Sequence, residues 1–195
     1  SHQRNILIGD PGQSNPPDRN SAVAMVFDIS AIPQGPAELV SFDWIYGNGS
    51  YWPFVYRMEE LHDTYRPIYS GFDATGSQKG FDELVFTQRG RLFAGLNVAG
   101  NKQQMVVALK LLMGRGLITM PKELKSAWLQ LANWHMPDKK LRQDIASCLF
   151  MVGDVISSVM VEDMGEDDSE EEDLSSYARN EVNRALASTR NVPMR

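Results

Sequence analysis

The sequence predicts a mixed α/β fold in which helices flank a central sheet. Two observations support this prediction. Short apolar runs bounded by turn residues occupy the first quarter of the chain, and apolar residues recur at helical spacing through much of the remainder. A protein with both patterns needs strands and helices in the same core.

Each predicted element follows from its local pattern. Strands are predicted at residues 5–9, 21–30, 39–46 and 67–73, with a short strand at 117–120, and helices at 52–65, 105–115, 123–134 and 141–160. Pro53 suits a first helical turn, and Gly116 suits a helix end. The first three strands predict an antiparallel meander. A meander followed by a helix and a strand is the opening order of the RNase H-like fold, a mixed central sheet flanked by helices.

Charge is distributed unevenly along the 195 residues, whose net charge is −6. Residues 1–160 hold 15 basic and 15 acidic residues, whereas residues 161–195 hold 4 and 10. We therefore expect a leader or tag remnant at 1–4, one domain at 5–160, and an acidic, disordered tail at 161–195. The balanced charge of the domain permits DNA binding without requiring it.

Composition excludes several classes of protein. No apolar run approaches the roughly 20 residues of a membrane span, so no membrane segment is predicted. Cys148 is the single cysteine, which excludes an internal disulfide and a cysteine zinc cluster. Its apolar surroundings predict a buried, inert thiol.

Two aspartates occupy matching positions at the ends of predicted strands. Asp10 follows the first strand, Asp73 ends the fourth, and each precedes small or turn-forming residues. If the two strands are neighbours, the carboxylates lie side by side, and a divalent cation relieves their repulsion. Oxygen ligands suit Mg²⁺ or Mn²⁺, and two ions about 3.5–4 Å apart can cleave a phosphodiester. A turn or cap role is the alternative for each aspartate alone.

A third carboxylate is expected from a helix. Asp144 lies near the start of the apolar pattern at 141–160, whose residues at helical spacing face the core, so we expect its side chain at the rim of the core. A first-turn or N-cap role is the alternative. Asp154, which follows Gly153, is the rival candidate and is interpreted as a local helix-end feature.

Three stretches resemble the C-terminal nuclease domain of the large terminase subunit of tailed bacteriophages. Residues 6–12 (ILIGDPG) are similar to its first strand and metal-binding aspartate, and residues 72–76 (FDATG) to its second acidic motif. Residues 101–121 resemble the helix, short strand and proline that follow. Residues 143–146 (QDIA) stand where the family often has paired aspartates, with Gln143 at the first position. The resemblance covers residues 5–160.

The resemblance implies an endonuclease that cuts concatemeric viral DNA during genome packaging. It implies two Mg²⁺ or Mn²⁺ ions, with Asp10 bridging both and with Asp73 and Asp144 completing their coordination. The implied partners are double-stranded DNA, the terminase ATPase domain, the small terminase subunit and the portal protein, with no membrane. The implied location is the cytoplasm of an infected host cell. No Gly-x-x-x-x-Gly-Lys-Ser/Thr loop occurs in the sequence, so no ATP site is predicted.

Basic and aromatic residues add two weaker predictions. Four basic residues near the acidic motifs are predicted to contact DNA phosphates, with solvated surface charge as the alternative: Lys79, Lys139, Lys140 and Arg142. An aromatic-rich segment is predicted to pack in the core and across the sheet, with base stacking as the alternative. Its members are Trp44, Tyr46, Tyr51, Trp52, Phe54 and Tyr56.

Other functions remain open on the sequence. A junction resolvase of the same fold would prefer branched DNA. A non-catalytic RNase H-like assembly module would hold its acids for structural reasons and would gain no stability from metal. An actin-like ATPase is a further alternative, for which the chain is too short. The acidic tail could solubilise the protein, occupy a basic groove or dock on a packaging partner.

Overall fold

The computed structural model of the protein describes residues 3–12, 21–46, 50–75, 93–135 and 144–165. The strands within these ranges are β1 (Asn5–Asp10), β2 (Ser21–Asp28), β3 (Ala37–Tyr46), β4 (Tyr69–Asp73), β5 (Ala94–Leu96) and β6 (Ile118–Thr119). The helices are α1 (Trp52–Tyr65), α2 (Val98–Gly114), α3 (Lys125–Asn133) and α4 (Asp144–Gly165).

The described strands form one mixed sheet in the order β5-β4-β1-β2-β3-β6. β1, β2 and β3 pair antiparallel, so the predicted meander is confirmed. β4 lies on the other side of β1 and runs parallel to it, β5 runs parallel to β4, and β6 runs parallel to β3. With helices on both faces, this sheet has the predicted RNase H-like fold.

Strand β1 lies at the centre of the sheet, and all six of its residues are buried. Successive side chains point to opposite faces. Ile6 and Ile8 belong to the core that α2 and α4 cover, which we call the α4 face. Leu7 belongs to the core that α1 covers, the α1 face. A continuous apolar strand is what burial on both faces requires.

Helix α4 forms much of the core on the α4 face. Among the described helices it is the one long and apolar enough to cross a membrane, over Asp144–Val161, and more than half of that window is buried inside the protein. Its packing against the sheet and α2 accounts for the apolar composition. Gly153 permits close approach to α2, because an added Cβ would lie 2.8 Å from the backbone nitrogen of Leu109.

Both ends of α4 are tied to other parts of the domain. The Gln130 side chain of α3 accepts hydrogen bonds from the backbone N–H groups of Ile145 and Ala146, both at 3.1 Å. These bonds satisfy donors that a first helical turn leaves unpaired. Near the other end, the Arg4 guanidinium donates to both carboxylate oxygens of Asp163, at 2.9 and 3.2 Å.

The structure differs from the predicted elements mainly around α2. This helix begins at Val98 rather than at 105, and β5 precedes it where no strand was predicted. The Asn97 side chain caps the helix by accepting from the Gly100 N–H at 3.0 Å. α4 continues to Gly165, past the predicted domain end at 160, and residues 166–195 of the predicted tail lie outside the described residues.

Candidate functional site

The parallel pairing of β1 with β4 brings Asp10 and Asp73 together. The ladder ends with Gly9 opposite Phe72, and each aspartate follows that pair by one residue. Neighbouring strands are about 4.8 Å apart, so the two aspartates are adjacent at the carboxyl ends of their strands. The condition on which the expected carboxylate pair depended, that the two strands are neighbours, is therefore met.

Both aspartates belong to the α4 face of the sheet. Asp10 lies opposite Val23 of β2, which is part of the core on that face. Phe72 belongs to the core on the α1 face. Because successive side chains of a strand point to opposite faces, Asp73 points to the α4 face. The two carboxylates therefore lie on the side of the sheet that α4 covers.

The first turn of α4 lies over the end of β1. Cys148 is fully buried, and its thiol lies 3.7 Å from the carbonyl oxygen of Val23, the cross-strand partner of Asp10. Asp144 precedes Cys148 by four residues and therefore shares its side of the helix. The structure thus places Asp144 near Asp10, at the rim of the core as predicted.

Asp154 lies in the middle of α4, so its interpretation as a helix-end feature is wrong, and it faces a different part of the sheet from Asp144. Burial raises the pKa of the Tyr69 phenol, and the charge of Asp154 raises it further, so these two side chains are close. Tyr69 begins β4 whereas Asp73 ends it, which puts Asp154 toward the opposite end of that strand. Of the two candidates for a third carboxylate, Asp144 is the one beside Asp10.

The carboxyl of Asp10 is more strongly perturbed than that of Asp73. Only 6% of Asp10 is exposed. Burial raises the pKa of its carboxyl well above the usual range, and the negative charges of Asp73 and Asp144 raise it further. The Gly12 N–H, which donates to Oδ1 at 2.8 Å, and the charge of Lys102 oppose this rise. Asp10 therefore lies in a site where negative charge is in excess.

Asp73 lies against the N-terminus of α2. Burial raises its pKa, while hydrogen bonds from Thr75, the charge of Lys102 and a backbone hydrogen bond from Val98 oppose the rise. The Thr75 N–H donates to Oδ1 of Asp73 at 2.9 Å, and the Ala99 N–H donates to the Thr75 hydroxyl at 3.2 Å. The positive end of the α2 dipole thus faces this carboxylate.

The Cys148 thiol lies beneath the three carboxylates. Burial raises its pKa well above the usual range, and Asp10, Asp144 and Asp73 raise it further. A thiol held in its protonated form is a poor nucleophile. The predicted buried thiol is confirmed.

The three carboxylates fit a divalent cation by charge and by donor type. Hard oxygen ligands suit Mg²⁺ and Mn²⁺, and an added cation would relieve the repulsion that raises the pKa of Asp10. Across the described ranges, no group of three or more His, Cys, Asp or Glu side chains converges closely enough to hold a metal ion. Asp10 and Asp73 instead each accept a local backbone N–H at Oδ1.

The other predicted contact residues have mixed outcomes. Lys79, Lys139, Lys140 and Arg142 lie outside the described residues, and their DNA contacts remain predictions. Core packing is confirmed for Phe54 but is wrong for Tyr46 and Tyr56, which are 73% and 53% exposed. Tyr46 is the last residue of β3. The ring of Tyr56 packs against that of Trp52 on the outside of α1, with the ring centroids 5.9 Å apart.

Lys102 is a site residue that was not predicted. Its charge acts on both Asp10 and Asp73. The sequence signal was its position between the second acidic motif and the apolar part of α2. The apolar pattern begins only at Met105, so it does not show that the helix starts at Val98. For the same reason it does not show that Lys102 and Val98 lie on one face of that helix.

Sheet order, helix placement and carboxylate position define an RNase H-like α/β domain with an acidic site at the carboxyl ends of its central parallel strands. Solved structures similar to it are large terminase nucleases. They include that of the thermophilic phage G20c with bound zinc (21% identity, TM-score 0.60, 76% of this chain and 79% of that one) and that of Thermus phage P74-26 (18%, 0.57, 76% and 77%).

A second structure of the G20c nuclease is similar to the same extent, with 19% identity and a TM-score of 0.60 over 76% of this chain and 80% of that one. No protein-family model matches the chain, and the search of curated proteins gives no significant match. The chain therefore has the fold of large terminase nuclease domains, and the resemblance seen in its motifs is confirmed at the level of fold.

Proposed function

We propose that this chain is a metal-dependent DNA endonuclease that cuts concatemeric viral DNA during genome packaging. One observation carries the proposal. Two aspartates end adjacent parallel strands, and the first turn of a core helix brings a third to them, in a fold shared with large terminase nucleases. A structural role would not require an acid that burial and two like charges hold far from its ordinary pKa.

The carboxylates would hold two Mg²⁺ or Mn²⁺ ions, which activate a water and stabilise the leaving oxygen of a phosphodiester. Asp10, which interacts electrostatically with both Asp73 and Asp144, would be a ligand of both ions. Asp73 and Asp144 would supply the remaining carboxylate ligands. The Thr75 and Gly12 N–H groups orient the carboxylates of Asp73 and Asp10.

The proposed partners follow from the same function. Double-stranded DNA is the substrate, with Lys79, Lys139, Lys140 and Arg142 as phosphate contacts. The terminase ATPase domain, the small subunit and the portal protein are the proposed assembly partners, in the cytoplasm of the infected cell. A separate ATPase domain is invoked because the sequence has no phosphate-binding loop of the Walker type.

A plasmid-nicking assay tests the proposal. The wild-type chain is incubated with supercoiled DNA in Mg²⁺ or Mn²⁺ and, separately, in EDTA. We expect cleavage that needs metal and that Asp10→Asn, Asp73→Asn and Asp144→Asn each reduce by about 100-fold or more. Asp154→Asn is the matched control, because it removes a partly buried acid from the same helix without touching the site.

A non-catalytic assembly module is the second candidate, and one observation favours it. The described side chains do not converge into a three-ligand metal cluster. This module would bind no Mn²⁺ in calorimetry and would leave plasmid DNA intact, while folding normally. Preferential cutting of branched over linear DNA would instead identify a junction resolvase of the same fold.

A further inference from the structure

Lys102 lies on the side of α2 that meets the acidic site. Val98, the first residue of the helix, makes a backbone hydrogen bond with Asp73. Lys102 follows it by four residues, and residues at that spacing share one face of a helix. Lys102 is partly buried, whereas its neighbours Asn101 and Gln103 are exposed. The fold therefore directs the Lys102 side chain toward the carboxylates.

The position of Lys102 is fixed by contacts that α2 makes before and after this residue. The Ala99 N–H donates to the Thr75 hydroxyl at 3.2 Å, and Thr75 in turn donates to Asp73. Farther along the helix, Met105 and Val106 are buried in the core of the α4 face. The helix cannot rotate without breaking one of these contacts, so the lysine is held over one part of the site.

The charge of Lys102 reaches both strand-end carboxylates. Its ammonium interacts electrostatically with both Asp10 and Asp73. Within the described part of the chain, it is the cation that acts on both. One ammonium neutralises only part of the charge of three carboxylates, so the site keeps an excess of negative charge that can still attract a cation.

We propose that Lys102 is a catalytic residue of this nuclease and that its ammonium binds a non-bridging oxygen of the scissile phosphate. This proposal rests on the proposed function. In hydrolysis, the oxygen of water forms a bond to phosphorus, the bond to the leaving ester oxygen breaks, and that oxygen ends with a proton from the water. Negative charge grows on the phosphate oxygens in the transition state, where a fixed ammonium stabilises it.

A catalytic lysine and a merely structural one predict different changes in metal binding. A positive charge beside the carboxylates opposes the binding of a divalent cation. Removal of the charge therefore leaves the affinity for Mn²⁺ unchanged or tighter if the lysine acts on the phosphate. If the lysine instead holds Asp10 and Asp73 in place, its removal weakens Mn²⁺ binding together with cleavage.

The test compares Lys102→Met, Lys102→Arg and Lys110→Met with the wild-type full chain. Cleavage is measured in single turnover at saturating Mn²⁺, Mn²⁺ affinity is measured by calorimetry, and thermal melting checks folding. Lys110 is an exposed lysine of α2, about 12 Å farther along the helix axis, and so is the matched control.

We expect Lys102→Met to cut about 10-fold more slowly or worse, with Mn²⁺ affinity at or above that of the wild type. Lys102→Arg, which keeps the charge but not the shape, should recover part of the rate. Lys110→Met should behave as the wild type. If Lys102→Met does not fold, the arginine variant carries the test through its reduced rate at unchanged Mn²⁺ affinity.

Two results would overturn the proposal while leaving the nuclease intact. One is a Lys102→Met variant that cuts at the wild-type rate. The other is a rate loss matched by an equal loss of Mn²⁺ affinity, which would make Lys102 a positioning residue for the carboxylates. A wild-type chain that neither cuts DNA nor binds Mn²⁺ would remove the proposed function, and the role of Lys102 with it.

Discussion

At the scale of single residues, the burial of Asp10 in the acidic site affects the stability of the folded protein. Asp10 is buried with Asp73 and Asp144 nearby, and its pKa lies well above the ordinary value for an aspartate. The folded protein therefore holds the Asp10 proton more tightly than the unfolded chain does. A group of this kind contributes stability below the unfolded pKa, and that contribution is lost as the pH rises through the folded pKa.

We therefore predict that Asp10 makes the metal-free protein less stable as the pH rises from the ordinary range of an aspartate toward neutrality. Asp10→Asn removes the titrating group, so its melting temperature should fall less than that of the wild type between about pH 5 and pH 8. At neutral pH the variant should be the more stable of the two. Thermal melts in EDTA at a series of pH values measure both effects.

Asp163→Asn is the control for this measurement. Its carboxylate pairs with Arg4, and the hydrogen bond from that guanidinium lowers its pKa, the opposite direction to Asp10. Its contribution to stability is lost as the pH falls, so its removal cannot imitate the effect of Asp10→Asn. If the melting temperatures of the wild type and Asp10→Asn change with pH in the same way, the pKa of Asp10 is not raised in the folded protein and the prediction is wrong.

At the scale of elements, the contact between α4 and α2 depends on a glycine. A Cβ at position 153 would lie 2.8 Å from the backbone nitrogen of Leu109 and 2.9 Å from its Cα, and backbone atoms cannot rotate away. We predict that Gly153→Ala destabilises the protein by about 1–3 kcal/mol in urea unfolding, although alanine favours helix by about 1 kcal/mol. The helices must separate to accept the methyl group.

Gly114→Ala provides the matched control, because a Cβ at that glycine of α2 would meet nothing within 4 Å. This variant should be neutral or slightly stabilised. Equal stability of the two alanine variants would mean that α4 and α2 do not pack as closely as the structure shows.

The elements that the sequence predicted are those with a continuous apolar pattern. β1, α1 and α4 follow directly from such patterns, and so does the placement of Asp10 and Asp73 at strand ends. β5 has three residues, one of them glycine, and the first turns of α2 are largely polar and exposed, so neither has a periodicity to detect. Their stability comes from the Asn97 cap and from contacts with β4.

The acidic site could be predicted from the sequence only in part. Strand ends identify Asp10 and Asp73, since both follow apolar runs, but which of two acids on α4 joins them depends on where that helix crosses the sheet. The contact between Cys148 and Val23 places Asp144, rather than Asp154, beside Asp10. Such a crossing is a property of tertiary packing, which no local pattern contains.

At the scale of the whole molecule, the site joins parts of the chain that lie far apart in sequence. β1, β4 and the first turn of α4 each contribute one carboxylate, and they meet only when the sheet has formed and α4 has packed on it. An unfolded chain cannot gather these carboxylates. A metal that binds the folded site therefore stabilises the whole domain.

We predict that Mn²⁺ raises the melting temperature of the wild-type chain at neutral pH. At a free concentration 100 times the dissociation constant, the gain is about 2.7 kcal/mol, or roughly 5–10 °C for a domain of this size. Asp10→Asn, Asp73→Asn and Asp144→Asn should each lose most of this rise, whereas Asp154→Asn should keep it. Differential scanning fluorimetry with and without Mn²⁺ measures the shift. A rise that survives in Asp144→Asn but not in Asp154→Asn would move the third ligand to the other end of β4, and the geometry around Cys148 argues against that outcome.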